Sequence, residues 1–373
     1  MAQENPLAPC REQIDNIDKQ LAKLFEQRMK LSLNIADIKR QNNIAITDCN
    51  REAEIIANSA GLVDSDFSED FQLLMRSIMA LSKKRQRQSL LNTSELLPHP
   101  QKQQSDFVKC VFQGVSGAWS EQALINIFPE ANRKSLPYFE DVFLAIKSQD
   151  ARYGVLPIEN SQSGAIGEVY DLLRKYRCFI VGQTWIDIQH CLMAKEGVAL
   201  SDIKEVYSHP EGFRQCHNFL KNRDWNLNPA SNTAVSAQIA QKAQNNHTAA
   251  IASKQAAKLY QLSVFPESII DDQNNKTRFV VIANQPEYDQ SSDIISFTFS
   301  TSHRSGALCE ALMPLMAADA NLTRIESRPA PGGNYRFFAD INGNITDINI
   351  VSALKTIAAC TDYFEVLGCY HQV

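Results

Sequence analysis

The sequence predicts a multidomain chain built in three successive classes, all-α, α/β and α+β, and three observations predict it. Residues 7 to 92 carry heptad-spaced apolar positions with almost no Gly or Pro. Residues 106 to 285 alternate short apolar runs with helical stretches, and residues 293 to 373 read strand, helix, strand, strand, helix, strand. At 373 residues the chain is long enough for two or three domains with cores of their own. The expected division is a helical region 1–92, a linker 93–105, an α/β region 106–285, a linker 286–292 and an α+β region 293–373.

In the helical region, Leu7, Cys10, Ile14, Ile17, Leu21, Leu24, Arg28, Leu31, Ile35 and Ile38 fall on alternating steps of three and four. A helix this long, with few neighbours in its own short domain, expects a second chain along that seam. "TDCNREAEII" starts a second helix near Thr47 or Asp48, and Phe67 to about Leu91 supplies a third. Arg28 interrupts the apolar seam, and a guanidinium there must find an anion. The anion is either a carboxylate of the same region, Asp48 or Glu52, or a ligand. Lys39 lies on the same face roughly 16 Å further along the axis, and two long side chains can close that gap onto one small dianion.

"TSELLPHPQKQQS" loses the periodicity and gains Pro and Gln, the signature of a linker. Beyond it, "FVKCVFQG", "YGVLPIEN", "RCFIVGQTWIDI", "EVYSHP", "TAAIAS" and "TRFVVIA" are strands or strand ends. In "VLPIENSQSGAIGEVYDLL", Val155 to Leu173, an apolar run halts at Pro157 and is followed by Glu159, Asn160, Ser161, Ser163 and two glycines. Helix capping needs one such polar residue, not four. The surplus suits a pocket rim that holds an anion at the mouth of a sheet, although capping stays open. After the linker "QPEYDQSS", the strings "DIISFTFST", "GALCEALMPLMAAD", "NLTRIESRP", "YRFFADING", "DINIVSALKTIAA" and "DYFEVLGCY" give the βαββαβ order of a ferredoxin-like module.

Composition narrows the function classes. A net charge of -5 argues against nucleic acid as partner, and the basic cluster Lys83, Lys84, Arg85 and Arg87 reads as a solvated helix end. The nine cysteines form no Cys-x-x-Cys pair, so they read as reduced thiols of a cytoplasmic protein, with no metal and no cofactor expected. His190 beside Cys191, and Cys216 beside His217, read as core residues, because adjacent side chains diverge. No run approaches the roughly 20 apolar residues of a membrane span, and nothing at the start resembles a signal peptide.

With these residues in view, the amino-terminal region resembles the all-helical chorismate mutase fold, and the whole chain resembles the bifunctional chorismate mutase/prephenate dehydratase family. The resemblance implies that Arg11, Arg28, Lys39, Asp48, Arg51, Glu52, Ser82 and Gln86 hold chorismate, with Arg28, Lys39 and Gln86 catalytic. Ser82 and Gln86 share one helix face, as do Asp48, Arg51 and Glu52 on another. Arg11 and Arg28 are roughly 25 Å apart if the first helix is continuous, so no single chorismate touches both. Arg11 is then expected from a second chain, in a homodimer joined along the seam, with a tetramer open as a higher state. Conversion of chorismate to prephenate needs only a compact conformer and stabilisation of charge on the breaking ether oxygen, which arginine clamps and the donors Lys39 and Gln86 would supply. A Gln beside the ether also requires Glu52 to have a partner or a proton.

In the middle region, "PIENSQSG", "YSHP", "NTA" and "TRF" are similar, in order, to motifs of prephenate dehydratase, a two-lobed α/β fold like that of periplasmic binding proteins. The implied prephenate contacts are Ser120, Glu159, Asn160, Ser161, Ser208, Thr233, Thr277 and Arg278, with Thr277 donating to the departing ring hydroxyl. Read without the resemblance, Thr277 is a strand-start cap and Arg278 a surface ion pair. Three residues depart from the family's usual pattern: Val115 stands for Pro, Trp119 for Tyr or Phe, and Glu211 for Gln. "SGALCEALMPLM" and "NLTRIESRP" resemble the two signatures of an ACT regulatory domain. They imply that Gly306, Ala307, Leu308, Glu326, Ser327, Arg328 and Pro329 bind L-phenylalanine between two such domains and inhibit the enzyme.

Two rivals are weighed. A non-catalytic sensor of an aromatic metabolite could dimerise through the helices, but the eight polar helical residues speak against it. A coupled dehydrogenase would need a Gly-x-Gly-x-x-Gly after a strand, and a serine hydrolase a Gly-x-Ser-x-Gly elbow; the sequence has neither.

Overall fold

The computed structural model describes residues 7–42, 49–88, 96–100, 108–330 and 334–372. The seam forms one uninterrupted helix, Ala8–Gln41, followed by Cys49–Ser59 and Ser68–Gln88. Within the chain the long helix does not pack through its seam. Met29, Ser32 and Ala36, on the same three-and-four spacing, are the residues it buries. Leu7, Ile14, Ile17, Leu21, Leu24, Leu31, Ile35 and Ile38 remain 46–62% exposed, a stripe running the length of the helix.

The α/β region forms two mixed sheets. The first orders its strands Asn132–Leu136, Lys109–Gln113, Tyr153–Asn160, Lys276–Ala283, Phe179–Asp187, with Gly164–Ala165 hairpinned onto Tyr153–Asn160. The second orders Ser263–Val264, His190–Ala194, Thr248–Ser253, Glu205–Ser208, Asn226–Pro229. The chain crosses between the sheets at Ile188–Gln189 and returns before Lys276, so the two lobes share a double crossover. Thr248–Ser253 is buried at every position, as a strand covered on both faces should be.

Pro157 does not halt its strand. Phe279 pairs with Pro157 while Arg278 pairs with Glu159, so Ile158 is the extra residue of a bulge. A bulge is where a ladder tolerates a residue with no N–H. The polar residues that follow build a hairpin turn rather than a helix cap. The helix Gly167–Tyr176 starts from Ile166 with no side-chain cap.

The C-terminal region is a four-stranded antiparallel sheet ordered Leu322–Pro329, Tyr335–Asn342, Ile294–Thr301, Tyr363–Tyr370, with helices Ala307–Ala317 and Ile348–Cys360. Its edge strand lies against the first α/β sheet. A Cβ at Gly368 would stand 2.0 Å from the Ile180 carbonyl oxygen, so only glycine lets the two strands meet this closely. Phe338, Leu367 and Tyr370 join one core with Val111, Phe143, Leu156 and Val280. Leu97, from the expected linker, is buried in the core of the C-terminal sheet. Among the described residues no helix is long and apolar enough to cross a membrane.

Candidate functional sites

In the helical region the structure brings Arg28 and Ser82 together: Arg28 Nη1 donates to Ser82 Oγ at 2.6 Å. Burial draws the Arg28 guanidinium below its ordinary value, the mark of a cation with reduced hydration. Gln86 is buried one turn beyond Ser82, and Lys39 is half-buried on the long helix. Glu52 is not Arg28's anion. Its carboxylate accepts from Lys83 Nζ at 2.9 Å, which corrects the expectation of a solvated basic cluster, because Lys83 is buried. Glu52 therefore has a cationic partner. Arg51 is exposed and pairs with Glu54 at 2.6 Å, and Arg11 is exposed far up the long helix. Asp48 lies outside the described residues.

The second site is a cleft of about 490 Å³ between the α/β lobes. Ser120 and Thr233 line it from the first turns of the helices Trp119–Ile127 and Thr233–Lys242, whose amino termini favour anions. Asn160 is its organising residue. Asn160 Oδ1 accepts from the Gln162 and Ser163 amides at 3.0 Å each, and Nδ2 donates to Asn275 Oδ1 at 2.8 Å and to Thr277 Oγ1 at 2.9 Å. Since Thr277 Oγ1 accepts that bond, its own hydroxyl proton is available to the cleft. Thr277 is thus a cleft residue inside the strand, not a strand-start cap.

Four expected contacts are corrected. Successive residues of a strand face opposite sides of the sheet, so Glu159 and Arg278 point away from the cleft that Asn160 and Thr277 line. Arg278 is buried and donates to Asp340 Oδ2 at 2.6 Å, Gln183 Oε1 at 2.6 Å and the Tyr370 hydroxyl at 2.9 Å, and Glu159 takes Arg324 at 2.8 Å. Both belong to the contact with the C-terminal sheet, and Arg278 is no surface ion pair. Ser208 is fully buried, donating to the Ile251 carbonyl at 3.0 Å, beneath the helix that begins at Pro210. Ser161 is exposed and accepts from the Lys276 amide at 3.0 Å as part of the hairpin.

The cleft also contains residues outside the expected contact set: Ser163, His190, His209, Gln215 and Asn232. Asn232 caps its helix by accepting from the Val235 amide at 2.8 Å. Gln215 sits one turn after Glu211 within "SHPEGFRQC", and that spacing could have identified it. His190 is buried as expected, yet it lines the cleft. Burial pushes its imidazole down to about 4, so it is neutral at physiological pH. Cys191 and Cys216 are buried in apolar cores as expected, whereas His217 is exposed and is no core residue. Of the departures, Trp119 and Glu211 line the cleft, and the Val115 carbonyl closes a turn by accepting from the Ala118 amide at 3.0 Å.

In the C-terminal sheet, Gly306 has φ +77°, a left-handed conformation that suits glycine at a helix start. It lines a cavity of about 830 Å³ shared with Glu52, Ile56, Met79 and Lys83 of the helical region. Ala307 and Leu308 begin the helix behind it. Glu326, Ser327, Arg328 and Pro329 end an edge strand, where Arg328 pairs with Asp171 at 3.2 Å. Within one chain the two strings therefore have different neighbours.

Comparison with known proteins adds the following. Residues 110–287 match the prephenate dehydratase family, and residues 10–87 match chorismate mutase type II. The bifunctional chorismate mutase/prephenate dehydratase of Escherichia coli K12 is 31% identical over 99% of this chain and 97% of its own length. Among solved structures, prephenate dehydratase from Arthrobacter aurescens in complex with L-Phe is 27% identical at a TM-score of 0.65, over 71% of this chain and 90% of that one. A protein described as a quorum-quenching acylase is 26% identical at a TM-score of 0.64, over 71% of this chain and 97% of that one.

Proposed function

Because this chain belongs to the bifunctional chorismate mutase/prephenate dehydratase family, we infer that its two polar sites divide two consecutive reactions of phenylalanine biosynthesis between them. The chain is a chorismate mutase and a prephenate dehydratase: the helical region rearranges chorismate to prephenate, and the lobed region converts prephenate to phenylpyruvate. The observation that carries the second assignment is the Asn160 to Thr277 bond, which leaves the Thr277 O–H free beside two helix amino termini. Donation from Asn160 polarises that hydroxyl, making it a better donor to the ring oxygen as it leaves. Carbon dioxide departs from the ring carboxylate in the same step. The helix amino termini at Ser120 and Thr233 suit the pyruvyl carboxylate.

In the mutase site, Arg28 held by Ser82 supports a clamp on one chorismate carboxylate, with Lys39 and Gln86 serving the ether oxygen. Glu52, paired with Lys83, and Arg51 belong to the polar wall, and the family resemblance assigns Asp48 to the same ligand. The exposed seam supports a homodimer in which Arg11 of the second chain closes the site. A tetramer would be a further association of such dimers. L-phenylalanine is the feedback ligand of the C-terminal sheet, held by Gly306, Ala307, Leu308, Glu326, Ser327, Arg328 and Pro329 across two copies; the L-Phe complex of the Arthrobacter relative supports this. The work is cytoplasmic and uses neither metal nor cofactor.

The test supplies chorismate, then prephenate, to the purified protein without nucleotide or metal, and follows chorismate loss and phenylpyruvate formation with and without phenylalanine. Turnover of both, suppressed by phenylalanine, is expected. A folded dimer that turns over neither would leave the sensor reading standing. Glu326→Ala or Ser327→Ala is expected to weaken the inhibition, and unchanged inhibition would remove that strand from the ligand site.

A further inference from the structure

We propose that His190 is a substrate contact of the dehydratase cleft, where its Nδ1 accepts the hydrogen bond of the prephenate ring hydroxyl. The proposal rests on the assignment of this cleft to prephenate. Its starting point is an anomaly: His190 is buried and lines the cleft, yet its Nδ1 has no hydrogen-bond partner among the described residues. A buried polar atom left unpaired is costly, and a binding cleft is where a ligand removes that cost.

The neighbouring bonds fix what Nδ1 can do. Gln215 Nε2 donates to Glu211 Oε1 at 3.0 Å, and turning the amide over would set its oxygen against the carboxylate. Gln215 Oε1 therefore faces His190 Nε2 at 2.9 Å and accepts from it. The imidazole proton sits on Nε2, and Nδ1 is left as a lone-pair acceptor. Glu211, held below the usual carboxylate range by its bond to Arg214, stays ionised and keeps the relay in this direction. The residue that departs from the family's Gln at this position is thus the one that sets the tautomer.

An acceptor in the cleft selects a donor on the ligand. Prephenate at neutral pH carries two carboxylates and a keto group, all acceptors, and its ring hydroxyl is the one donor it offers. That hydroxyl would give its hydrogen to His190 Nδ1 and turn its oxygen lone pairs toward Thr277, whose O–H is free. Trp119, from the other lobe, packs edge-on against the imidazole with ring centroids 6.0 Å apart, so the hydroxyl would be read where the lobes meet. Phenylpyruvate, which has lost the hydroxyl, makes no such bond, and the contact therefore favours substrate over product.

The test compares the unaltered enzyme with His190→Phe, which keeps a ring but no acceptor, and His190→Asn, whose amide oxygen falls near the Nδ1 position. The expected result for His190→Phe is a loss of roughly tenfold or more in kcat/KM for prephenate. The inhibition constant for phenylpyruvate should stay within about twofold, mutase activity should be unchanged, and His190→Asn should recover part of the loss. Unchanged kcat/KM in His190→Phe, or an equal weakening toward phenylpyruvate, would overturn the proposal. If His190→Phe does not fold, nitrogen NMR of the unaltered protein decides. A pyridine-type Nδ1 that responds to a stable analogue bearing the hydroxyl, and not to phenylpyruvate, supports the contact; a protonated Nδ1, or equal responses, overturns it. Failure of the unaltered enzyme to consume prephenate would instead remove the cleft assignment itself, and this proposal with it.

Discussion

Replacing Arg278 by Met separates two roles that the string "TRF" leaves open. If the guanidinium gripped a substrate carboxylate, its loss would raise KM for prephenate and leave the fold intact. The structure gives a different result. Arg278 is 4% exposed and donates to Asp340, Gln183 and Tyr370, and Asp340 is itself 6% exposed. Removing the cation strands a buried carboxylate whose remaining bond is from the Ser296 hydroxyl. Breaking one partner of a buried pair costs about 3–5 kcal/mol. For a cooperative unit of this size that corresponds to a fall of roughly 5–15 °C in thermal midpoint. Arg278→Met with Asp340→Asn should recover part of it, because the second change removes the stranded charge. The assay is thermal denaturation by circular dichroism, with prephenate kinetics measured well below the midpoint. A variant that melts within a degree of the unaltered protein while KM rises about tenfold would refute the reasoning and return Arg278 to the cleft.

Thr277→Val should lower dehydratase kcat by about 10²–10³ with mutase activity intact, and Thr277→Ser should keep most of it; equal activity in the Val and Ser variants would exclude a hydroxyl role. Arg28→Ala should do the converse, abolishing mutase activity while prephenate added directly is still consumed, and parallel loss of both activities would contradict separate sites. Glu placed together at Leu24 and Leu31, which are 61% and 62% exposed, should yield monomers in sedimentation analysis and remove mutase activity; an unchanged dimer would mean that the seam is not the contact. Stability should fall as pH drops from about 6.5 toward 4, because the unfolded chain takes up a proton at His190 that the native protein refuses. Denaturant titrations at pH 7 and pH 5 check the sign, and a His190→Phe variant with the same pH dependence would show that another group is responsible.

The seam was legible from its heptad period, and the six strand strings and the βαββαβ order from short apolar runs set between helical stretches and turn residues. What could not be read was the side of the sheet to which a polar residue turns. Around Asn160 and Thr277 both faces of the strands are covered, so no apolar alternation marks one face as the cleft. "IEN" and "TR" each offer one residue to each face, and sequence alone cannot choose between them. His190–Ala194 escaped notice for a related reason. It belongs to the second sheet but follows Phe179–Asp187 of the first after only Ile188 and Gln189, so no Gly or Pro turn signal separates the two strands. Asn132–Leu136 is a polar, largely exposed edge strand with no hydrophobic pattern to detect. Lys83 looked solvated in a row of basic residues, and only the packing of the helices reveals that it alone turns inward among those whose side chains are described.

The alternation that misplaced Glu159 and Arg278 also joins the cleft to the C-terminal sheet. Thr277 is in register with Asn160, and Arg278 with Glu159, so two neighbouring cross-strand pairs face opposite ways. One pair holds the hydroxyl assigned to the leaving group. The other is gripped by Asp340 and by Arg324, and Arg324 also lies 3.9 Å from Glu326 on the strand proposed to bind phenylalanine. No long relay is needed, because the two pairs are consecutive on the same two strands. Arg324 of the Leu322–Pro329 strand holds Glu159, which is adjacent in the chain to Asn160. The bulge at Ile158 interrupts the ladder next to these two pairs. The pleat of one ribbon therefore places the cleft hydroxyl and the contact with the C-terminal sheet on consecutive cross-strand pairs.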